Sequence, residues 1–366
     1  MASARWQRYK RRPNDASTNV KSLQIVDGSL TRLRRISLYV QTDVEDNTEQ
    51  EVTRMTYRRI LVPFDDSPLA RAALSIGAWL AWRSNGELDL VRAVPHVHAP
   101  FTPRPVPGMA HLEAEQDANN LAESKTELSV EASRLREKGI TATGVALAGE
   151  PLRVLIDYIK GLDIDLVVMG THGRPLTQRW LLGSVANVTA RTSPVPVLLV
   201  PQEGQFHRDD ELRVLVAFDG SKVATAALDA ALSLVRTVPT TVTLFEVLPG
   251  DSPSTDEKTV DWYEKPVLGA PPDLDEAHER LLKAGVASER AYSFGDAAAE
   301  IVEFAERGKF DLVVIGTHGR TGLDRLVTGS VAEQVVQRAT IPILITSGAA
   351  APASRGQMMG AGARDS

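Results

Sequence analysis

Short apolar runs alternate along most of the chain with longer segments in which apolar residues recur every three or four positions. Uninterrupted apolar runs are typical of strands buried on both faces, and the segments between them predict helices that cross over between parallel strands. The pattern therefore predicts an α/β fold. The first half has strands at 58–65, 87–94, 142–148, 164–169 and 195–200 and helices at 68–83, 111–138, 151–160 and 184–192, and the second half has strands at 212–218, 241–248, 289–294, 310–315 and 341–346.

The second half of the chain repeats the first. RRILVPFDDS at 58–67 matches LRVLVAFDGS at 212–221, and IDLVVMGTHGR at 164–174 matches FDLVVIGTHGR at 310–320. A third pair, GSVANVTARTSPVPVLLV at 183–200 and GSVAEQVVQRATIPILIT at 329–346, follows in the same order. Such repetition predicts two copies of one structural unit. We expect domains at 58–201 and 212–347, joined by a polar linker at 202–211.

Composition limits the classes of protein that the chain can represent. Its 366 residues suffice for two ordinary domains. The composition, 43% hydrophobic and 24% charged, is typical of a soluble globular protein, and no apolar run approaches the roughly 20 residues of a membrane span. The absence of cysteine excludes disulfides and thiolate nucleophiles and fits a cytoplasmic location. A net charge of -6 argues against general nucleic-acid binding.

The segments outside the two repeats are polar. Residues 1–57 begin with a basic stretch, continue with the acidic DVEDNTEQE at 43–51, and lack the apolar core of a secretory signal, which predicts a disordered leader. Met55 stands directly before the first strand, so it is an alternative to Met1 as the native start. Residues 348–366 predict a disordered tail.

Each repeat carries the glycine motif G-x2-G-x9-G-S directly after its fourth strand. A glycine there permits positive φ and close backbone approach, and the serine stands where a helix begins, with backbone N–H groups that can bind an anion. This arrangement predicts a phosphate site without a catalytic side chain. The motif residues are Gly170, Gly173, Gly183 and Ser184 in the first repeat and Gly316, Gly319, Gly329 and Ser330 in the second.

Other features of the first strand and its helix belong to the same prediction. Asp65 and Asp219 stand at the carboxyl ends of the first strands and can accept hydrogen bonds from a ribose or a base. Ser67 and Ser221 predict N-caps for the helices that follow. An alternative interpretation makes the glycines ordinary turn residues and makes Ser330 with Glu333 a capping box. The Walker A motif and G-x-G-x-x-G are both absent.

At these residues the chain resembles the universal stress protein family in its tandem form, over about 58–201 and 212–347. The resemblance implies five parallel strands in the order 3-2-1-4-5 in each domain, pairing of the two last strands within the chain, and an adenine-nucleotide site. We expect ATP, with Mg accompanying the phosphates, as the ligand, and cyclic AMP is the less favoured alternative. It places Asp65 and Asp219 near ribose and adenine, backbone of Val94 and Val247 near adenine, and the glycines, the serines, Val185 and Val331 around the phosphates.

The two motif loops differ, and this predicts unequal sites. The first has Arg174-Pro175-Leu176 where the second has Arg320-Thr321-Gly322. Because proline removes an N–H donor and leucine disfavours positive φ, we expect the second site to bind more tightly.

Histidines and arginines near the motifs have simpler interpretations than catalysis or metal binding. His172 and His318 lack a nucleophile or an orienting carboxylate fixed by sequence. The pair His96 and His98 has no third ligand in view. Two interpretations remain open for the nearby arginines, contact with phosphate oxygens and exposure to solvent; these are Arg174, Arg320 and Arg325.

Three functions remain open from the sequence. The first is an ATP-binding stress-response protein in which nucleotide occupancy changes shape or partner binding, and the second is a slow ATP-hydrolysing enzyme without an identified base. The third is a scaffold that binds no nucleotide. We expect an unknown protein partner, no nucleic acid and no membrane contact, with pairing of two chains into a further homodimer left open.

Overall fold

The computed structural model describes residues 57–96, 109–171, 183–202, 211–250, 271–317 and 330–347. All of them belong to one compact unit that begins at Met55. The strands are β1 Arg59–Pro63, β2 Glu87–Val94, β3 Thr141–Ala148, β4 Leu166–Gly170, β5 Val197–Val200, β6 Leu212–Ala217, β7 Thr240–Leu248, β8 Ser288–Phe294, β9 Leu312–Gly316 and β10 Ile343–Thr346. The helices are α1 Pro68–Ser84, α2 Met109–Glu137, α3 Pro151–Gly161, α4 Ser184–Thr192, α5 Lys222–Val235, α6 Pro272–Lys283, α7 Ala297–Arg307 and α8 Ser330–Arg338.

The described strands form a single ten-stranded sheet in the order β3-β2-β1-β4-β5-β10-β9-β6-β7-β8. Within each half all pairings are parallel, and each half has the order 3-2-1-4-5 counted in its own strands. The predicted α/β fold with two repeated domains is therefore confirmed. We call the half with β1 to β5 domain 1 and the half with β6 to β10 domain 2.

The two domains meet through their last strands. β5 and β10 pair antiparallel, with Leu198 opposite Leu344 at the centre of the short ladder. The Tyr57 hydroxyl, from domain 1, donates to the carbonyl oxygen of Ala230 in α5 at 3.0 Å, and both groups are buried. The hydroxyl of Ser347 donates to the Ser193 carbonyl oxygen at 2.9 Å. The expected pairing of the last strands is present, and it makes the two sheets continuous.

Helices cover both faces of the sheet, as uninterrupted apolar strands require. One core joins the sheet to α1, α2, α5 and α6 and runs through both domains. The other core joins the opposite face to α3, α4, α7 and α8. We call these the α1 face and the α3 face. None of the described helices is both long enough and apolar enough to cross a membrane.

An aspartate in each repeat ties the fourth strand to the first. Asp165 accepts hydrogen bonds at Oδ2 from the backbone N–H groups of Arg58 and Arg59, at 3.0 and 2.9 Å. Asp311 accepts from the N–H of Arg213 at 2.8 Å in domain 2. Because the two strands are held at their starts, their carboxyl ends reach the same edge of the sheet.

The α3 face is packed differently in the two domains. In domain 1 the Arg59 guanidinium contacts the buried carboxylate of Asp89 at 2.9 Å, and Tyr158 of α3 lies close enough to feel the charge of that carboxylate. Burial, and next the charge of Asp89, raise the pKa of Tyr158 to about 12. In domain 2 the matching layer is aromatic, because Phe304 stacks on Phe245 with ring centroids 4.3 Å apart.

Candidate functional site

The turn from β1 to α1 is held by side chains that accept hydrogen bonds from backbone N–H groups. Asp65 accepts at Oδ1 from the N–H of Ser67 at 3.0 Å, and the Ser67 hydroxyl accepts from the N–H of Ala70 at 3.1 Å. Asp219 and Ser221 make the same two bonds in domain 2. The predicted serine caps are therefore confirmed. Both carboxylates belong to turns at the carboxyl edge of the sheet.

The residue after each of these aspartates has left-handed backbone. Asp66 has φ 64° and Gly220 has φ 73°. Left-handed backbone costs more conformational free energy for an aspartate than for a glycine. The Asp66 side chain forms an ion pair with Arg71 of the following helix. The turn geometry is thus the same in both domains although the residue differs.

Gly170 and Gly316 end β4 and β9, and neither has positive φ. Each glycine instead allows the backbone of a neighbouring helix to approach the strand closely. A Cβ on Gly170 would lie 2.9 Å from the carbonyl oxygen of Leu69, and one on Gly316 would lie 3.0 Å from the carbonyl oxygen of Val223. Leu69 and Val223 are both in the first turn of the helix after the first strand. The glycine therefore brings the tip of the fourth strand against the aspartate turn.

The helices that follow the glycine motifs begin at the predicted serines, Ser184 for α4 and Ser330 for α8. The N-cap of α4 is Gly183, which has no side chain to accept from the first-turn N–H groups. Ser184 is exposed, whereas Val185 packs partly against the core of the α3 face. Val331 has the same partly buried environment in domain 2. The first turn of α4 therefore has main-chain donors available to an anion.

The ends of the second strands show that Val94 and Val247 do not occupy equivalent positions. Arg59 pairs with Glu87 in domain 1 and Arg213 with Thr241 in domain 2, so the register aligns Val94 with Leu248 and Ala93 with Val247. Val94 packs on the α1 face, whereas Ala93 and Val247 both pack on the α3 face. The register therefore makes Ala93, which the sequence did not single out, the domain 1 counterpart of Val247.

A charge difference beside the site was also missed. In domain 1 the Arg92 guanidinium donates from Nε to the carbonyl oxygen of Phe64 at 3.0 Å and pairs with Glu127 of α2. The register puts the buried Glu246 at the matching position of domain 2. The residue beside the tip of the first strand is thus basic in domain 1 and acidic in domain 2, which aligning the repeats through their second strands would have indicated.

Part of the predicted site lies outside the described residues. Among the predicted residues this holds for Gly173, Gly319, Gly329, His172, His318, His98, Arg174, Arg320 and Arg325, and for the side chain of Ser330. His96 is described, and its Nδ1 lies 2.9 Å from a carboxylate oxygen of Asp117. Within the described ranges no group of three or more His, Cys, Asp or Glu side chains is arranged to hold a metal ion.

Comparison with known proteins gives one consistent result. The sequence model of the universal stress protein family matches residues 56–201 and again 212–347. A universal stress protein of Synechocystis is 25% identical over 304 residues, covering 78% of this chain and 99% of that relative. One of Mycobacterium tuberculosis is 25% identical over 313 residues, covering 78% and 94%.

Solved structures agree on the fold. The crystal structure of a universal stress protein from Archaeoglobus fulgidus superposes with a TM-score of 0.57 at 20% identity, over 80% of this chain and 97% of that one. A putative universal stress protein from Pseudomonas aeruginosa gives a TM-score of 0.52 at 18% identity, over 81% and 95%. With the family sequence model matched once in each domain, the chain belongs to the universal stress protein family as a tandem, two-domain member.

Proposed function

We propose that each domain binds an adenine nucleotide at the carboxyl edge of its half of the sheet, and that ATP is the ligand. The observation that carries this proposal is the contact of the strand-ending glycine with the first turn of α1 or α5. This contact joins the aspartate turn to the tip of the fourth strand in both domains. Conserving such a contact in two repeats that differ elsewhere is expected of a shared binding edge.

The chemistry of the edge suits the two ends of a nucleotide. Asp65 and Asp219 supply carboxylate acceptors for ribose hydroxyls, and the backbone of Ala93 and Val247 lies at the tip of the neighbouring strand on the α3 face. The uncapped first turn of α4 supplies N–H donors and the positive end of a helix dipole for phosphates. Mg would accompany the phosphates rather than occupy a protein-only site.

We propose regulation by occupancy as the role in the stress response, with nucleotide binding altering the shape of the protein or its binding to a partner protein. The described edge offers hydrogen-bond donors and acceptors, which suffice for binding without turnover. Slow ATP hydrolysis is the second candidate, and a scaffold without nucleotide is the third. The three candidate functions predict different results in a nucleotide titration followed by a turnover assay.

Isothermal titration calorimetry with ATP and Mg tests the binding. We expect two nucleotides per chain, with the tighter one in domain 2. Asp65→Asn and Asp219→Asn keep an Oδ1 that accepts from the serine N–H but lose the carboxylate charge and an acceptor, so each should weaken one site about tenfold, or roughly 1.4 kcal/mol. Asp157→Asn, on the exposed side of α3, should change neither site.

If the titration with ATP shows neither heat of binding nor saturation, the scaffold without nucleotide is supported. Incubation of the protein with labelled ATP, with and without Mg, then separates the remaining two functions. Release of less than one product per chain supports occupancy-dependent regulation, and many turnovers per chain support the enzyme.

A further inference from the structure

The two outer strands of the sheet differ in how their free edges are protected. β3 lies at one end and β8 at the other. β3, Thr141–Ala148, contains no charged residue and no proline, whereas β8 carries the exposed Glu289 and an Arg290 that is ion-paired with Asp275. Charged side chains on an edge strand discourage pairing with another chain. β8 has this protection, and β3 lacks it.

The α3-face side chains of β3 are also less covered than those of β8. The register aligns Val145 with Ala291 and Leu147 with Ser293. Leu147 is 36% exposed, whereas Ser293 is 4% exposed. The cause is the helix layer, because α3 packs on β2 while α7 packs on both β7 and β8. Domain 1 therefore has larger apolar side chains at an edge that its own described helices leave uncovered.

The backbone groups that β3 offers can be identified from its hydrogen bonds. The N–H of Gly149 donates inward to the Val94 carbonyl oxygen at 2.9 Å. Since successive residues of a strand alternate in direction, the groups of the even-numbered residues from 142 to 148 point away from β2. Arg136 of α2 donates to the carbonyl oxygen of Ala142 at 2.8 Å and so occupies the first of these positions. The stretch from Gly144 to Ala148 remains for a partner strand.

We propose that β3 pairs antiparallel with β3 of a second copy of this chain, with Ala146 on the twofold axis. With the axis at Ala146, only residues 144 to 148 of each chain pair with the partner. If the axis lay at Gly144 or Val145, Ala142 would also have to bond to the partner, but its carbonyl oxygen already accepts from Arg136. The axis at Ala146 places Val145 opposite the partner's Leu147 on the α3 face. An odd-numbered residue must face another odd-numbered one, because directly opposite side chains in an antiparallel pair share a face.

A second copy is the occupant that the edge favours. An uncharged strand can pair with itself without placing like charges across the axis, and twofold dimers are the commonest oligomers. The molecule already contains one edge-to-edge antiparallel pairing between two copies of this fold, at β5 and β10. Because β5 and β10 are used within the chain, a pairing between chains must use an outer strand. The inferred dimer does not depend on nucleotide binding.

Sedimentation velocity over 1 to 100 μM protein tests the dimer. We expect the unmodified chain to be a dimer at the upper end of this range. Leu147→Lys should raise the dissociation constant at least tenfold, because the charge would lie beside the partner's Val145, and thermal stability should not fall. Glu289→Lys is the matched control on β8, and it should leave the dimer unchanged. A monomer throughout the range, or equal effects of the two variants, would overturn the proposal.

Cysteine cross-linking tests the register, and the chain has no native cysteine to interfere. Val145 and the partner's Leu147 would form a non-hydrogen-bonded pair with Cα atoms about 4.5 Å apart, which lies within the range for a disulfide. A mixture of Val145→Cys and Leu147→Cys chains should therefore form a covalent dimer under mild oxidation. Neither variant should do so alone. Cross-linking of Val145→Cys alone, or none in the mixture, contradicts the register.

Discussion

At the scale of single residues, the glycines that end β4 and β9 are required by packing against backbone. The nearest atoms to an added Cβ on Gly170 include the carbonyl carbon and oxygen of Leu69, which cannot move without shifting α1. We expect Gly170→Ala to lower the free energy of unfolding by about 1–3 kcal/mol, as overpacking does. Urea denaturation of the purified chain measures the change.

Gly161→Ala is the control for this prediction. Gly161 is the last residue of α3, and apart from its chain neighbours and the nearby backbone of its own helix no atom lies within 4 Å of an added Cβ. Alanine there should leave stability equal or raise it by about 0.5 kcal/mol. Equal losses in the two variants would show that the close approach at Gly170 does not determine its identity.

Tyr158 makes the stability of domain 1 sensitive to alkaline pH. Its pKa is raised to about 12 in the folded chain by burial and by Asp89, against an ordinary value of 10. Its contribution to stability is therefore complete below pH 10 and is lost as the pH rises toward 12, since the unfolded chain releases the proton first. Tyr158→Phe should show a smaller fall in unfolding free energy between pH 9 and 11.5 than the unmodified chain.

The comparison is made by urea denaturation at several pH values. A Phe already occupies the matching position in domain 2, Phe304, so the side chain is compatible with the fold. Tyr292→Phe serves as the control because Tyr292 lies in β8, the outer strand of domain 2, in the other domain from Tyr158 and Asp89. If Tyr158→Phe and the unmodified chain lose stability in parallel, the phenol does not contribute as described.

At the scale of elements, the serine caps set where α1 and α5 begin. Ser67 and Ser221 each accept from the N–H three residues later at 3.1 Å. Replacing either by alanine should cost about 1 kcal/mol, because a first-turn donor loses its side-chain acceptor. Thr225→Ala is the control, since its hydroxyl is exposed and donates to a carbonyl that already accepts a backbone bond. Urea denaturation that gives the same loss for all three variants would contradict a capping role.

The elements were largely predictable from the sequence because strands and helices differ in apolar period. Every predicted strand and helix of the first repeat is present, with ends that differ by at most two residues. The sequence could not show whether Ala93 or Val94 is the counterpart of Val247, and this has a physical reason. β2 has apolar side chains on both faces, so its period does not show which of Ala93 and Val94 faces α3, and only pairing with neighbouring strands fixes the register.

The site was less predictable than the fold. The repeated motif indicated a special backbone at Gly170, but positive φ and close approach both favour glycine, and the sequence does not distinguish them. The exchange of a basic residue, Arg92, for an acidic one, Glu246, became meaningful only when strand pairing placed both beside the first strands. Contacts between distant segments therefore decided what the local pattern left open.

At the scale of the whole molecule, the two domains share one sheet and one continuous core on the α1 face. We expect the halves to remain together after the chain is cut within 203–210, where a protease site can be inserted. The buried ladder of β5 and β10 and the bond from Tyr57 to Ala230 hold them without a covalent link. Size-exclusion chromatography of the cut protein should give one peak that contains both fragments.

Tyr57→Phe then measures the contribution of one contact to this association. Loss of a buried hydrogen bond of 3.0 Å should weaken binding between the fragments by about 1 kcal/mol, or roughly fivefold. Tyr292→Phe, which lies in the outer strand β8 of domain 2, should not change the affinity. Separation of the cut fragments at micromolar concentration would mean that the linker, rather than the shared sheet, keeps the domains together, and the two binding edges would then act as independent sites.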